Sequence, residues 1–214
     1  MHAMILAAGQ GKRMLPLTAH TPKPLLVARG RPLIEHHIVA FAKANIREIV
    51  INLGYLGEQI EAFLGNGSQY GVHIEYSKED PILETGGGVA KALPLLKSDC
   101  FVVVSADILT NYPYETLPTA VPGLGHLVLV DNPPHHPGGD FGLQNGLVTQ
   151  GPGPLLNFGG IGVYRHAFFD ECPSGIFPIA PLLVKAIQKG LLSGEYYPGE
   201  WENIGTPEQL EQWG

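Results

Sequence analysis

The sequence predicts an α/β fold in which a mostly parallel central sheet is flanked by helices. Three observations carry that expectation. Short, continuously apolar runs recur through the first half, as strands buried on both faces require. Stripes of helical period separate those runs, giving a β-α-β-α-β-α-β order. The 214 residues also include 28 Gly and 19 Pro, enough punctuation for many short elements.

Taken in order, residues 4–8 (M-I-L-A-A) read as a buried strand that ends at Gly9. Residues 34–44 place apolar side chains at 34, 38, 39, 41 and 42, the stripe of an amphipathic helix. A second strand follows at 48–53, a helix at 57–64 and a third strand at 72–76. A helix at 89–96 is expected to fray at Pro94. The run 101–106 (F-V-V-V-S-A) is the strongest β-branched segment, and it stops at Asp107.

The second half is less regular. Strands are expected at 127–130 and 160–165, and a loop at 131–139 (D-N-P-P-H-H-P-G-G). A helix is expected at 180–189, and a closing helix at 207–213 carries Pro207 in its first turn. No linker divides the chain, so one domain over 1–214 is expected, with halves at about 1–110 and 111–214. Ligands of parallel sheets bind beyond the carboxyl ends of the strands, and Gly9, Asn52 and Asp107 fall near that edge.

Charge narrows the class of partner. With 13 Lys+Arg against 20 Asp+Glu the net charge is −7, and only 15% of residues are charged. Such a chain lacks the basic face of a nucleic-acid scaffold. No Lys or Arg occurs between Lys97 and Arg165. The first apolar run is too short for a signal peptide, and none reaches the roughly 18 residues of a membrane span. Cys100 and Cys172 form no CxxC or CxxH pattern, so a reduced, cytoplasmic protein is expected. His126, His135, His136 and His166 fit no zinc spacing, and the His135-His136 pair among prolines reads as exposed loop. Tyr112, Tyr114, Tyr196 and Tyr197 read as packing and turn residues.

Chemistry concentrates after the first strand, in Ala7-Ala8-Gly9-Gln10-Gly11-Lys12-Arg13-Met14. Glycines let a backbone approach a ligand closely and offer N–H groups to phosphate oxygens. A dinucleotide fingerprint would need glycine where Met14 stands. A P-loop would need glycine at Leu6 and Ser or Thr at Arg13. Farther on, Thr21-Pro22-Lys23-Pro24-Leu25 frames one lysine with two prolines, a stiff presentation of a cation.

The pattern L-A-A-G-x-G-x-R-M-x-P-L-T followed by T-P-K-P-L resembles the signature of the sugar-1-phosphate nucleotidyltransferases. Leu83-Glu84-Thr85-Gly86-Gly87-Gly88, Asp140-Phe141-Gly142-Leu143 and Trp201-Glu202-Asn203-Ile204-Gly205-Thr206-Pro207 are similar to the N-acetylmuramate-1-phosphate uridylyltransferase branch of cell-wall recycling. The resemblance implies a Rossmann-like nucleotidyltransferase fold with a nucleotide-binding half and a smaller sugar-side elaboration. It implies uridylyl transfer from UTP to the sugar 1-phosphate, with magnesium as cofactor and small molecules as the only expected partners. The same chemistry on mannose, glucose or heptose 1-phosphate with another triphosphate is the nearest alternative, and a silent nucleotide-sugar binder is the next. Oligomeric state is not legible.

The resemblance also implies residue roles. Arg13, Lys23 and Asp107 would be catalytic, and Ala8, Gly9, Gln10, Gly11 and Lys12 would wrap the triphosphate with Arg13 and Lys23. Glu79, Glu84, Thr85 and Gly86 match positions around the nucleotide base. Ser105, Asp140, Gly142 and Asn157 would meet the sugar, and Asp107 and Asn203 the magnesium. Two departures stand out. Relatives read N-G-D where this chain has Ser105-Ala106-Asp107, and W-x-D where it has Asn203. An amide oxygen can bind magnesium but adds no charge, so weaker metal affinity is expected.

Overall fold

The computed structural model describes residues 1–151 and 153–213. The strands are β1 (His2–Leu6), β2 (Val27–Ala28), β3 (Arg31–Pro32), β4 (Glu48–Leu53), β5 (His73–Lys78), β6 (Cys100–Ser105) and β7 (Ile108–Thr110). They continue as β8 (Gly125–Val130), β9 (Gly142–Gln144), β10 (Leu147–Thr149), β11 (Asn157–Arg165), β12 (Leu192–Tyr196) and β13 (Trp201–Asn203). The α-helices are α1 (Leu33–Lys43), α2 (Gly57–Leu64), α3 (Glu84–Ala92), α4 (Ala180–Gln188) and α5 (Pro207–Glu211). None of the described helices is long and apolar enough to cross a membrane.

One nine-stranded sheet runs in the order β5-β4-β1-β6-β11-β8-β12-β10-β9 and takes strands from both halves of the chain. The block β5-β4-β1-β6 is parallel throughout. Beyond it only β11 and β10 are reversed, so seven of the nine strands run in one sense.

The continuous apolar runs follow from two covered faces. Ala3 and Ile5 of β1 point into a layer with Ile34, Ile38 and Phe41 of α1 and Ile60 and Leu64 of α2. Met4 points the other way, into a layer with Val89 of α3 and Leu183 and Ile187 of α4. Successive side chains of a strand alternate faces, so a strand sandwiched this way must be apolar at every position. Each fully buried aliphatic side chain contributes about 1.5–3 kcal/mol relative to exposure.

Two boundaries differ from expectation in ways that matter for the site. β1 ends at Leu6 rather than at residue 8, because the Ala7 N–H leaves the ladder and donates to the Asn52 side chain at 2.7 Å. Helix α3 begins at Glu84 rather than at residue 89, running through three glycines that local propensity disfavours by about 1 kcal/mol each. Packing overrides propensity there. A Cβ at Gly86 would stand 2.4 Å from the Phe177 ring, at Gly87 2.2 Å from the Gly175 carbonyl, and at Gly88 2.5 Å from Glu79 Oε1.

The short antiparallel pair β7–β13, with Asn203 opposite Ile108, lies outside the main sheet. A small third cluster ties this pair to the first loop: Met14, Leu26, Ala28 and Leu33 pack with Leu109 and Ile204. Helix α5 is anchored by a capping box in which the Thr206 hydroxyl accepts from Gln209 N and the Gln209 side chain accepts from Thr206 N.

Candidate active site

A cleft of about 380 Å³ lies at the carboxyl ends of β1, β4, β5 and β6. The chain passes from β1 to β4 on one side and returns to β6 on the other, so the cleft sits where the strand order reverses. Ala8, Gly9, Gly11, Lys12 and Arg13 form one wall. Gly11 is held at φ 61°, and a Cβ there would press on Thr18 Cγ2 at 3.0 Å and Lys23 Cβ at 3.2 Å. The Thr18 hydroxyl donates to the Gly11 carbonyl at 2.9 Å, locking the turn. The following single turn drives Met14 into the third cluster and leaves Lys12 and Arg13 exposed. The Arg13 guanidinium lies against Gly205, where a Cβ would stand 3.3 Å from Nη2. A residue near the end of the chain thus borders the first loop.

Lys23 enters from a short turn between extended Pro22 and buried Pro24. Its ammonium donates to Asp107 Oδ2 at 2.6 Å, with side-chain exposures of 12% for Lys23 and 29% for Asp107. Asp107 sits on the link from β6 to β7, fixed where Ala106 N donates to Leu6 O and Ile204 N donates to Asp107 O. Behind it, His37 is fully buried and bonded through Nδ1 to the Tyr114 hydroxyl at 3.0 Å. Burial holds the His37 pKa down to about 4, against the opposing pull of Asp107. A neutral ring therefore backs the Lys23–Asp107 pair.

The base-side expectations divide. Glu79, Glu84 and Thr85 line the cleft, whereas Gly86 is buried under Phe177 with its N–H on the Phe177 carbonyl. Glu79 is buried and committed, since Oε1 accepts from Asn52 Nδ2 and Oε2 accepts from Leu83 N, both at 2.8 Å. Asn52 bridges it to Ala7, so the Glu79 carboxylate braces three strand ends. The Thr85 hydroxyl accepts from Ile179 N at 2.9 Å. Glu84 takes a left-handed backbone at φ 61° where the cleft meets α3, an unusual conformation for a residue with a side chain.

A second cleft, about 260 Å³, shares Ser105 with the first and is bordered by Asn157, Trp201 and Asn203. His135 and His136 line it too, a placement the proline-rich loop gave no sign of. Asp140 stands one step back: Oδ1 pairs with His136 Nε2 at 3.0 Å and Oδ2 accepts from Phe158 N at 2.8 Å. Gly142 is not in the cleft; it packs on β10, where a Cβ would meet Thr149 Oγ1 at 2.6 Å. Trp201 is held by its indole N–H, which donates to Gly159 O at 2.8 Å. Asn52, Gly205, His135, His136 and Trp201 are among the lining residues to which the sequence assigned no role; Asn52 carried a signal as a strand end, and Trp201 and Gly205 as members of the 201–207 motif.

His126 and His166 lie elsewhere, bonded to Ser193 and to the Leu96 carbonyl. Tyr112 and Tyr114 are buried and stack edge to face, in keeping with a packing role. Among the described residues no group of three or more His, Cys, Asp or Glu side chains could hold a metal. Asp107 beside the first cleft and Asn203 in the second offer one carboxylate and one amide oxygen. That sparse donor set fits magnesium, which keeps waters and takes phosphate oxygens as its other ligands.

Comparison with known proteins bears on these clefts. A family described as nucleotidyl transferase matches residues 2–145. The chain is 45% identical to the N-acetylmuramate alpha-1-phosphate uridylyltransferase of Neisseria meningitidis serogroup B, over 99% of this chain and 96% of that one. It is 37% identical to a mannose-1-phosphate guanylyltransferase of Mycobacterium tuberculosis, over 51% of this chain and 30% of that one. In fold it is similar to a candidate glucose-1-phosphate thymidylyltransferase of Bacillus anthracis, with TM-score 0.88 at 24% identity over 99% of this chain and 93% of that one.

Proposed function

The chain belongs to the nucleotidyl transferase family, and within it we propose that this protein transfers the uridylyl group of UTP to N-acetylmuramate 1-phosphate, releasing pyrophosphate. The observation that carries the choice of substrate is the near full-length likeness to a uridylyltransferase of that sugar, which extends across both clefts. A phosphate oxygen of the sugar attacks the α-phosphorus, and the bond from that phosphorus to the bridging oxygen of the β-phosphate breaks. The attacking phosphate is already ionised near neutral pH, so no general base is required. Catalysis then rests on positioning and on neutralising charge.

The first cleft suits that task. Gly9 and Gly11 bring main-chain N–H groups to the triphosphate, Lys12 and Arg13 supply exposed cations, and Arg13 can grip phosphate with a bidentate fork. Lys23, tied to Asp107, lines the first cleft together with Ser105 and holds the α-phosphate as the two substrates meet. Glu84 and Thr85 border the base, while Glu79 braces the wall through Asn52 and Leu83. Ser105 and Asn157 meet the sugar. Magnesium, held by Asp107 and Asn203, would screen the charge of the phosphate oxygens. The setting is the cytoplasm, where the product re-enters cell-wall synthesis by recycling.

The test is a grid of UTP, GTP, CTP and dTTP against the 1-phosphates of N-acetylmuramate, N-acetylglucosamine, glucose, mannose and heptose, assayed for pyrophosphate release. The expected outcome is highest kcat/KM for UTP with N-acetylmuramate 1-phosphate. Preference for a hexose lacking the acetamido group would overturn the reading.

A further inference from the structure

We propose that His136, with His135 beside it, binds the lactyl carboxylate of N-acetylmuramate 1-phosphate and so sets the choice of this sugar over N-acetylglucosamine 1-phosphate. The inference rests on the substrate reading above. N-acetylmuramate differs from N-acetylglucosamine by a lactyl ether whose carboxylate is a second anion, remote from the phosphate at C1. A carboxylate taken from water into a cleft costs several kcal/mol unless it meets a cation or several donors. The second cleft must therefore hold such a partner.

Few groups qualify. No Lys or Arg occurs between Lys97 and Arg165, and Lys12, Arg13 and Lys23 all line the first cleft. The polar side chains that border the second cleft are those of Ser105, Asn157, Trp201, Asn203, His135 and His136. Of these only the two imidazoles can carry positive charge. Trp201 has its one N–H committed to Gly159 O, and the Asn157 amide donates to Phe158 O.

His136 is held for such a role. Its Nε2 faces Asp140 Oδ1 at 3.0 Å, and Asp140 is itself fixed by the N–H of Phe158, another lining residue. A carboxylate on one ring nitrogen orients the imidazole and leaves the other nitrogen for a ligand. In the complex the ring lies between two carboxylates and donates to both only in its protonated form. The match of Asp140 to a sugar-side motif is thereby explained without direct contact: Asp140 is a positioning residue that acts through His136.

The experiment pairs a change in the protein with a change in the substrate. Wild type and His136→Gln are assayed with N-acetylmuramate 1-phosphate and with its lactyl carboxamide, which removes the charge and keeps the shape. Wild type is expected to favour the acid by about tenfold or more in kcat/KM, chiefly through KM, the scale of a charge-assisted hydrogen bond. His136→Gln is expected to lose that preference. Equal discrimination by both proteins, or none by wild type, would overturn the proposal while leaving the substrate reading intact. Failure of wild type to use either sugar would instead bring down the substrate reading and the proposal with it. Should His136→Gln not fold, Asp140→Asn gives the same readout, with a smaller but still measurable loss of preference expected and an unchanged preference counting against the assignment.

Discussion

The first cleft is walled by consecutive strand ends of one parallel block, whereas the second is gathered from β6, the loop before β9, β11 and the β13 segment. The two also present different chemistry. The first offers a glycine-rich backbone and three cations, and the second offers imidazoles, amides, a hydroxyl and an indole. A triphosphate is the same polyanion whatever base it carries, so one short, stiff loop can serve it. A sugar is distinguished by substituents pointing in several directions, and recognising them needs side chains from several segments. On the function proposed above, the contrast separates a general phosphate-handling device from a specific reader.

That contrast exposes itself to test, most strongly at its charge centre. Replacing Lys23 by Met removes the cation paired with Asp107 and is expected to lower kcat/KM by about 10²–10³-fold in a pyrophosphate-release assay. A loss below tenfold would mark the ion pair as structural and move the chemistry elsewhere in the cleft. The glycines come next. Gly87→Ala drives a methyl group into the Gly175 carbonyl and is expected to destabilise the protein by about 1–3 kcal/mol in urea unfolding. Gly9→Ala meets nothing within 4 Å in the protein, so it should leave unfolding unchanged and raise KM for UTP instead. If both substitutions acted on stability alone, Gly9 would not face the ligand. The smallest effect is expected at the junction of the clefts. Asn203→Asp adds a carboxylate near Asp107, and the magnesium concentration for half-maximal binding, followed by calorimetry with bound UTP, should fall by several-fold. An unchanged value would count against metal contact at Asn203.

Legibility followed the same division. The parallel block was readable because each strand is buried on two faces and so is apolar throughout, and α1, α2 and α4 matched their stripes closely. The start of α3 was not readable, because the reason for three glycines is the crowding of Phe177, Gly175 and Glu79, which are distant or invisible in a local window. Strand β12 (L-S-G-E-Y) has too little alternation to announce itself and forms because β8 offers a parallel edge. The loop holding His135 and His136 looked solvated for a sound local reason, its prolines and glycines, and only its position over the β6 end turns it into a wall.

By itself the sequence determined the α/β class, the buried parallel strands and the glycine-rich loop with the proline-framed lysine that follows it. These depend on periodicity, backbone freedom and charge acting over a few residues. Only the tertiary structure decided that Lys23 pairs with Asp107, that Gly205 makes room for Arg13, and that an Asp140–His136 pair reaches the second cleft. Those contacts depend on the order in which strands join the sheet and on which loops that order brings to one edge, and no local preference encodes either.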